Sequence, residues 1–234
     1  MTNQIDLLAI GAHPDDVEIG MGGTLSLYRK KGYQTGIVNL TKAELSSNGT
    51  VEERQIEAKE ASNRLGVSTL VQLDFPDRGI LAHRQTCIDA VVALIREKKP
   101  RLVFAPYPVD RHPDHTETGN LIKEAVFNAG LYKYKQEVGP AHKPEALYYY
   151  QINGTQHPDF IIDISSDIDD KLHALKAYQS QFRTTDQTVT TPLTEAYLER
   201  VKAREHLIGQ QIGVMYGEGF KTDKPLVMSN LLGE

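Results

Sequence analysis

The chain has 234 residues, 40% of them hydrophobic and 24% charged, with a net charge of -5. That is enough apolar surface for one full core, so a single domain over residues 1–234 is expected, and the charge excludes the basic footprint of a nucleic-acid or anionic-membrane binder. The expected partner is a small molecule.

In chain order, "IDLLAI" (5–10) reads as a buried strand and leads into "GAHPDDVEIG", which puts His13, Asp15 and Asp16 at the strand's carboxyl end. A helical pattern follows over roughly 18–31 and closes at Gly32, suited to a left-handed cap. Within it "GMGGT" (20–24) lacks the G-x-G-x-x-G spacing of a dinucleotide site, and the preceding carboxylates would repel phosphate. Its glycines are expected to let the helix pack closely on the sheet. "TGIVNL" (35–40) is the second strand, followed by the polar loop "TKAELSSNGT" and a helix over 51–65 that carries Arg54 and closes at Gly66. The two "NGT" sequons, at Asn48 and Asn153, read as turns. "TLVQLDF" (69–75) is the third strand and runs into "PDRG".

A helix over 83–98, stopped by Pro100, holds Cys87 on its apolar face, where a free cysteine packs as a small hydrophobe. This lone cysteine permits no internal disulfide and fits a reducing compartment. With no amino-terminal apolar stretch of signal or membrane-spanning length, a soluble cytoplasmic protein is expected. The fourth strand, "RLVFAP" (101–106), runs into "YPVDRHPDH", which contains Arg111, His112, Asp114 and His115. Beyond Gly130 the pattern loosens into strands "ALYYYQI" and "FIIDIS" and helices near 166–182 and 194–209, while "GVMYGEGF" reads as a loop.

This alternation predicts an α/β, Rossmann-like fold: a mostly parallel sheet with helices on both faces and strand order 3-2-1-4-5 in the first half. In such sheets the ligand crevice lies outside the carboxyl ends of the strands, where the strand order reverses. The loops after strands one and four then face each other, and His13 meets His115 although the two are far apart in the chain.

An isolated "HPD" is commonly a turn, because proline keeps the residue before it extended and aspartate caps a following helix. Two copies, each at the end of a parallel strand and each continued by another ligand-type residue, point to metal. His13, Asp16 and His115 make the three-ligand set of a catalytic zinc site with a position left for water, and iron(II) accepts the same set. Bound metal brings the pKa of water toward neutrality. Asp15, beside a ligand but pointing elsewhere, is the candidate general base. His157, in "QHPDFIID", precedes a strand and reads as a turn; His83, His142, His173 and His206 read as ordinary surface or core histidines.

At these two motifs the sequence resembles the zinc-dependent deacetylase family that includes the N-acetylglucosaminylphosphatidylinositol deacetylases and the mycothiol-type deacetylases. The resemblance runs through "SSNGT", "PDRG", "FAPYPVDRHPDH", "YQSQF" and "TPLTEAY" and covers essentially the whole chain. It implies zinc on His13, Asp16 and His115 with Asp15 as general base. It also implies His112 as the group that stabilises or protonates the tetrahedral intermediate, oriented by Asp114. Tyr197 is implied as an oxyanion contact, with helix packing as the alternative. Arg54 and Arg111 are implied as substrate contacts, with surface salt bridges as the alternative.

The subgroup implied acts on N-acetylglucosaminyl malate in bacillithiol biosynthesis, releasing acetate. Cleavage of bacillithiol conjugates, deacetylation of other N-acetylglucosamine compounds and a non-catalytic nucleotide or metal-binding module stay open. A homo-oligomer is expected, a hexamer by the resemblance, with the tyrosine-rich 147–150 strand and the late helices as a candidate interface.

Overall fold

A computed structural model describes residues 4–184, 186 and 188–227. The strands are β1 (Leu7–Gly11), β2 (Thr35–Thr41), β3 (Thr69–Phe75), β4 (Leu102–Pro106), β5 (Ala146–Tyr150), β6 (Phe160–Asp163) and β7 (Gly217–Lys221). Between and after them run α1 (Asp16–Lys30), α2 (Val51–Leu65), α3 (Arg84–Lys98), α4 (Pro113–Ala129), α5 (Ile168–Leu175), α6 (Gln179–Phe182) and α7 (Tyr197–Gln210). The strands form one seven-stranded sheet in the order β3-β2-β1-β4-β5-β7-β6, which contains the expected 3-2-1-4-5. β1 to β5 are parallel; β7 is antiparallel to both of its neighbours.

β1 is apolar along its length because both of its faces are covered. Leu8 and Ile10 enter the core beneath α3 and α4, whereas Leu7 and Ala9 enter the one shared with α1, α2, α5 and α7. Cys87 packs in the first of these and is fully buried, and its burial pushes the thiol up to about 11. The glycines of α1 do bring that helix against its neighbours. A Cβ at Gly20 would strike the Tyr150 ring, and one at Gly23 would lie 2.7 Å from Ile164 Cδ1.

Two expectations need correction. The "GVMYGEGF" segment is not all loop: Gly217 to Lys221 form β7 inside the sheet. Its glycines signal a turn in one dimension, but here they admit close neighbours, since a Cβ at Gly217 would lie 2.6 Å from Ile161 Cγ2. The helix expected near 166–182 is two helices, interrupted where Ala177 and Tyr178 turn into the core. The Tyr178 hydroxyl there donates to Glu18 at 2.8 Å. α4 follows the second "HPD" and is capped by His112, with Pro113 in its first turn, rather than by the aspartate. His157 is exposed and accepts at its carbonyl from Lys221. Among the described residues no helix is long and apolar enough to cross a membrane.

The strand order reverses between β1 and β4, which pair in register from Leu7↔Leu102 to Ala9↔Phe104. Their carboxyl-end loops therefore leave the sheet side by side.

Candidate active site

The loop after β1 is anchored before it reaches α1. Ala12 carbonyl accepts from both the backbone N–H and the hydroxyl of Thr41, at 2.9 and 3.0 Å. His13 N–H donates to Asp16 Oδ2 at 2.8 Å, which fixes that carboxylate at the start of α1. Asp15 sits between them in the left-handed region, φ 96°, a conformation that costs a non-glycine residue about 1–3 kcal/mol. It is held there by Arg54, whose Nη2 donates to Asp15 Oδ2 at 2.8 Å and to Pro14 carbonyl at 2.6 Å.

The second loop brings three imidazoles into one cluster. The His112 and His115 rings stack with centroids 4.6 Å apart, and His13 lies 4.8 Å from the first and 5.5 Å from the second. One ligand atom from each of the three falls within 4.8 Å of the others, as do atoms of His13, Asp77 and Asp114. Asp16 bridges the two strand ends, with Oδ2 3.4 Å from His13 Nδ1 and Oδ1 3.0 Å from His115 Nε2.

Each outward imidazole nitrogen meets a further carboxylate: His13 Nε2 lies 3.2 Å from Asp77 Oδ1, and His115 Nδ1 lies 3.1 Å from Asp110 Oδ1. With a metal bound, such pairs would keep the proton on the nitrogen facing Asp77 or Asp110 and leave the other to ligate. Two imidazoles and a carboxylate converging in this way fit a divalent zinc or iron site by donor type.

The electrostatics show the same demand for positive charge. Burial opposes protonation of His13 and His115, but Asp16 and the carboxylates behind the rings outweigh it. His13 is held well above its ordinary value, and His115 rises to about 9. Burial likewise opposes ionisation of Asp16, yet His115 and His13 hold it well below the carboxylate range. Asp15 is pushed up to about 6 by burial, with Arg54 opposing. His112 is lowered by burial and by its two imidazole neighbours.

These groups floor a cavity of about 300 Å³ whose walls include Ser46, Arg78, Arg111, Asn153, Leu193 and Tyr197. A family model described as "PIG-L: GlcNAc-PI de-N-acetylase" matches residues 8–126, from β1 through most of α4 and across both histidine motifs. The chain belongs to the GlcNAc-PI de-N-acetylase family.

Diacetylchitobiose deacetylase of Thermococcus kodakarensis is 30% identical over 92% of this chain and 82% of its own. Probable N-acetyl-alpha-D-glucosaminyl L-malate deacetylase 2 of Bacillus cereus is 28% identical over 85% of this chain and 88% of its own. The crystal structure of a conserved Thermus thermophilus protein superposes with a TM-score of 0.85 at 38% identity, covering 97% of this chain and 99% of that one. The Thermococcus and Bacillus relatives are named as deacetylases, hydrolases acting on amide bonds, and this de-N-acetylase family member is an enzyme of that class.

Each residue singled out from the sequence can now be located on this member of the family. His13, Asp15, Asp16, Arg54, Arg111, His112, His115 and Tyr197 all line the one cavity. Asp114 departs from the role expected of it. Its carboxylate accepts from Arg78 N and Nη1 at 2.7 and 2.9 Å and lies 3.6 Å from His13. What holds His112 is Asp114's backbone N–H, donating to Nδ1 at 3.2 Å, because the ring caps the helix.

Arg54 is in a salt bridge, but a buried one that grips Asp15. Tyr197 combines both of its expected alternatives: its ring stacks on Phe182 at 5.5 Å while also lining the cavity. Asp77, Asp110 and Asn153 were missed as site residues although they lie in quoted stretches. Their distinguishing feature is a contact across the fold, such as Asn153 Nδ2 donating to Asp110 Oδ1 at 3.0 Å, and no spacing in the sequence announces it.

Proposed function

We propose that the chain removes the N-acetyl group from N-acetylglucosaminyl malate, giving glucosaminyl malate and acetate, as a step of bacillithiol biosynthesis. The observation that carries this reading is a guanidinium on the cavity wall that no carboxylate among the described residues pairs with. Arg54 and Arg78 are each committed to an aspartate, at 2.8 and 2.9 Å. Arg111 is exposed on the cavity wall and, among the described residues, donates only to the amide oxygen of Asn153, at 3.1 Å. A guanidinium without an anion beside a sugar-sized cavity suits a carboxylate substituent, which it can bind through two parallel hydrogen bonds.

His13, Asp16 and His115 would hold zinc, with iron(II) as the alternative, and the metal supplies Lewis-acid polarisation of the acetamide carbonyl and acidified water. Asp15, held by Arg54 beside the ligand set, accepts a proton from the attacking water. His112, with Nδ1 occupied by a backbone N–H, presents Nε2 to the cavity and donates to the developing charge or to the leaving amine. Tyr197, on the cavity wall, would offer its hydroxyl to the oxyanion. The reacting sugar is bound as a small molecule by a homo-oligomeric enzyme.

A second reading is deacetylation of a chitobiose-type disaccharide, favoured by the relative named as a diacetylchitobiose deacetylase. Acetate release from N-acetylglucosaminyl malate and from diacetylchitobiose, measured side by side, tests the choice. The malate glycoside is expected to give the higher kcat/KM, and Arg111→Ala to lower it for that substrate alone. Equal rates on both substrates, or faster release from the disaccharide, would reject the malate reading.

A further inference from the structure

Behind the cavity lies a second polar cluster, sealed from solvent. Lys171 donates to Glu205 at 2.6 Å and to Glu218 at 2.5 Å, and all three side chains are 0–1% exposed. α1 is broken at Met21, which has non-helical φ and ψ. Glu218 accepts from the N–H groups just past that break, Gly23 at 2.9 Å and Thr24 at 2.7 Å.

Arg204 serves the near side of the break. Its Nη2 donates to Ile19 carbonyl at 2.6 Å, and its Nη1 donates to Ile152 carbonyl at 2.8 Å. Nη2 and Nε also grip Glu205, at 2.6 and 3.2 Å.

Both carbonyls belong to residues that line the catalytic cavity. Ile19 lies one helical turn beyond Asp15 and Asp16. Ile152 precedes Asn153, whose N–H and side chain hold Asp110 at 3.1 and 3.0 Å. Asp110 in turn lies 3.1 Å from His115. One planar guanidinium thus ties the part of the site built on α1 to the part built around His115, with Glu205 and Lys171 as a fixed anchor. A rigid fork suits this task, since it reaches two acceptors at once where an ammonium reaches them singly.

We propose that Arg204 is a positioning residue for the deacetylation: it touches no reacting atom but sets the separation between the Asp15–Asp16 and His115 halves of the site. The role rests on the functional reading above. Displacing catalytic groups by about 1 Å can cost on the order of 100-fold in rate.

The test uses Arg204→Lys, which keeps the charge opposite Glu205 but loses the fork, and the double variant Arg204→Met with Glu205→Gln, which removes the ion pair without stranding a carboxylate. Both are compared with wild type for kcat per bound metal, KM, zinc affinity by chelator competition, and amide hydrogen exchange over 16–22 and 151–154. The expected result is a kcat about tenfold or more lower in each variant, KM within about threefold, weaker zinc binding, and faster exchange in both segments. Wild-type kcat and exchange in Arg204→Lys would overturn the proposal, because a purely structural arginine would change only thermal stability. A wild-type protein inactive on every N-acetylglucosamine compound would reject the functional reading; the exchange and zinc measurements then decide the role of Arg204 by themselves.

Discussion

Two buried polar clusters touch α1, and they differ in how their charges are matched. Around His13 and His115 the carboxylates of Asp15, Asp16, Asp77, Asp110 and Asp114 converge, while among the described residues only the guanidinium groups of Arg54 and Arg78 form salt bridges to them beside the imidazoles. In the sealed cluster Lys171 and Arg204 face Glu205 and Glu218, cation for anion. The matched set is complete without a ligand and serves as scaffold. In the unmatched set the carboxylates raise the proton affinity of His13 and His115 against their burial, and a divalent ion would answer the same excess of negative charge. At similar depth, imbalance marks chemistry and balance marks architecture.

If this division holds, the same kind of substitution has different consequences on the two sides. Asp15→Asn should lower kcat by about 10²–10⁴-fold, the range of a general base, while elemental analysis finds metal content unchanged. Retained wild-type turnover would remove Asp15 from that role. Lys171→Met leaves Glu218 without its cation and should lower stability by about 3–5 kcal/mol in urea unfolding, as breaking a buried pair does. A loss below about 1 kcal/mol, the range of surface pairs, would mean the sealed cluster is not an anchor.

Asp110→Asn should weaken metal binding by about 10–100-fold through the orientation of His115, read by chelator competition; unchanged affinity would assign Asp110 to loop structure alone. The apolar face beneath α3 supplies the mildest contrast. Burial disfavours the Cys87 thiolate and pushes the thiol up to about 11, so at pH 8 native protein should react with a thiol reagent far more slowly than protein unfolded in guanidinium. Equal rates would show that this core is open.

The strand-end histidines were legible in sequence because two short motifs each followed an apolar run, and the reversal rule for parallel sheets then placed the two loops together. The same rule located Arg111 and Asp114, but not what the Asp114 carboxylate faces: capping by His112 turned the backbone N–H toward the ring and left the side chain to Arg78. β7 escaped because glycine that admits a neighbouring side chain and glycine that permits a turn look alike in one dimension. Lys171, Glu205 and Glu218 escaped for a related reason, since charged residues in polar stretches read as solvated. Their burial follows only from pairing across 34 and 47 residues.

Zinc titration of metal-free protein by calorimetry, comparing wild type with His13→Ala, Asp16→Ala and His115→Ala, probes the shared-ion premise without any substrate. One ion per wild-type chain is expected, with each variant binding at least about 100-fold more weakly. Undiminished zinc binding by His115→Ala would contradict a metal centre that joins the ends of β1 and β4.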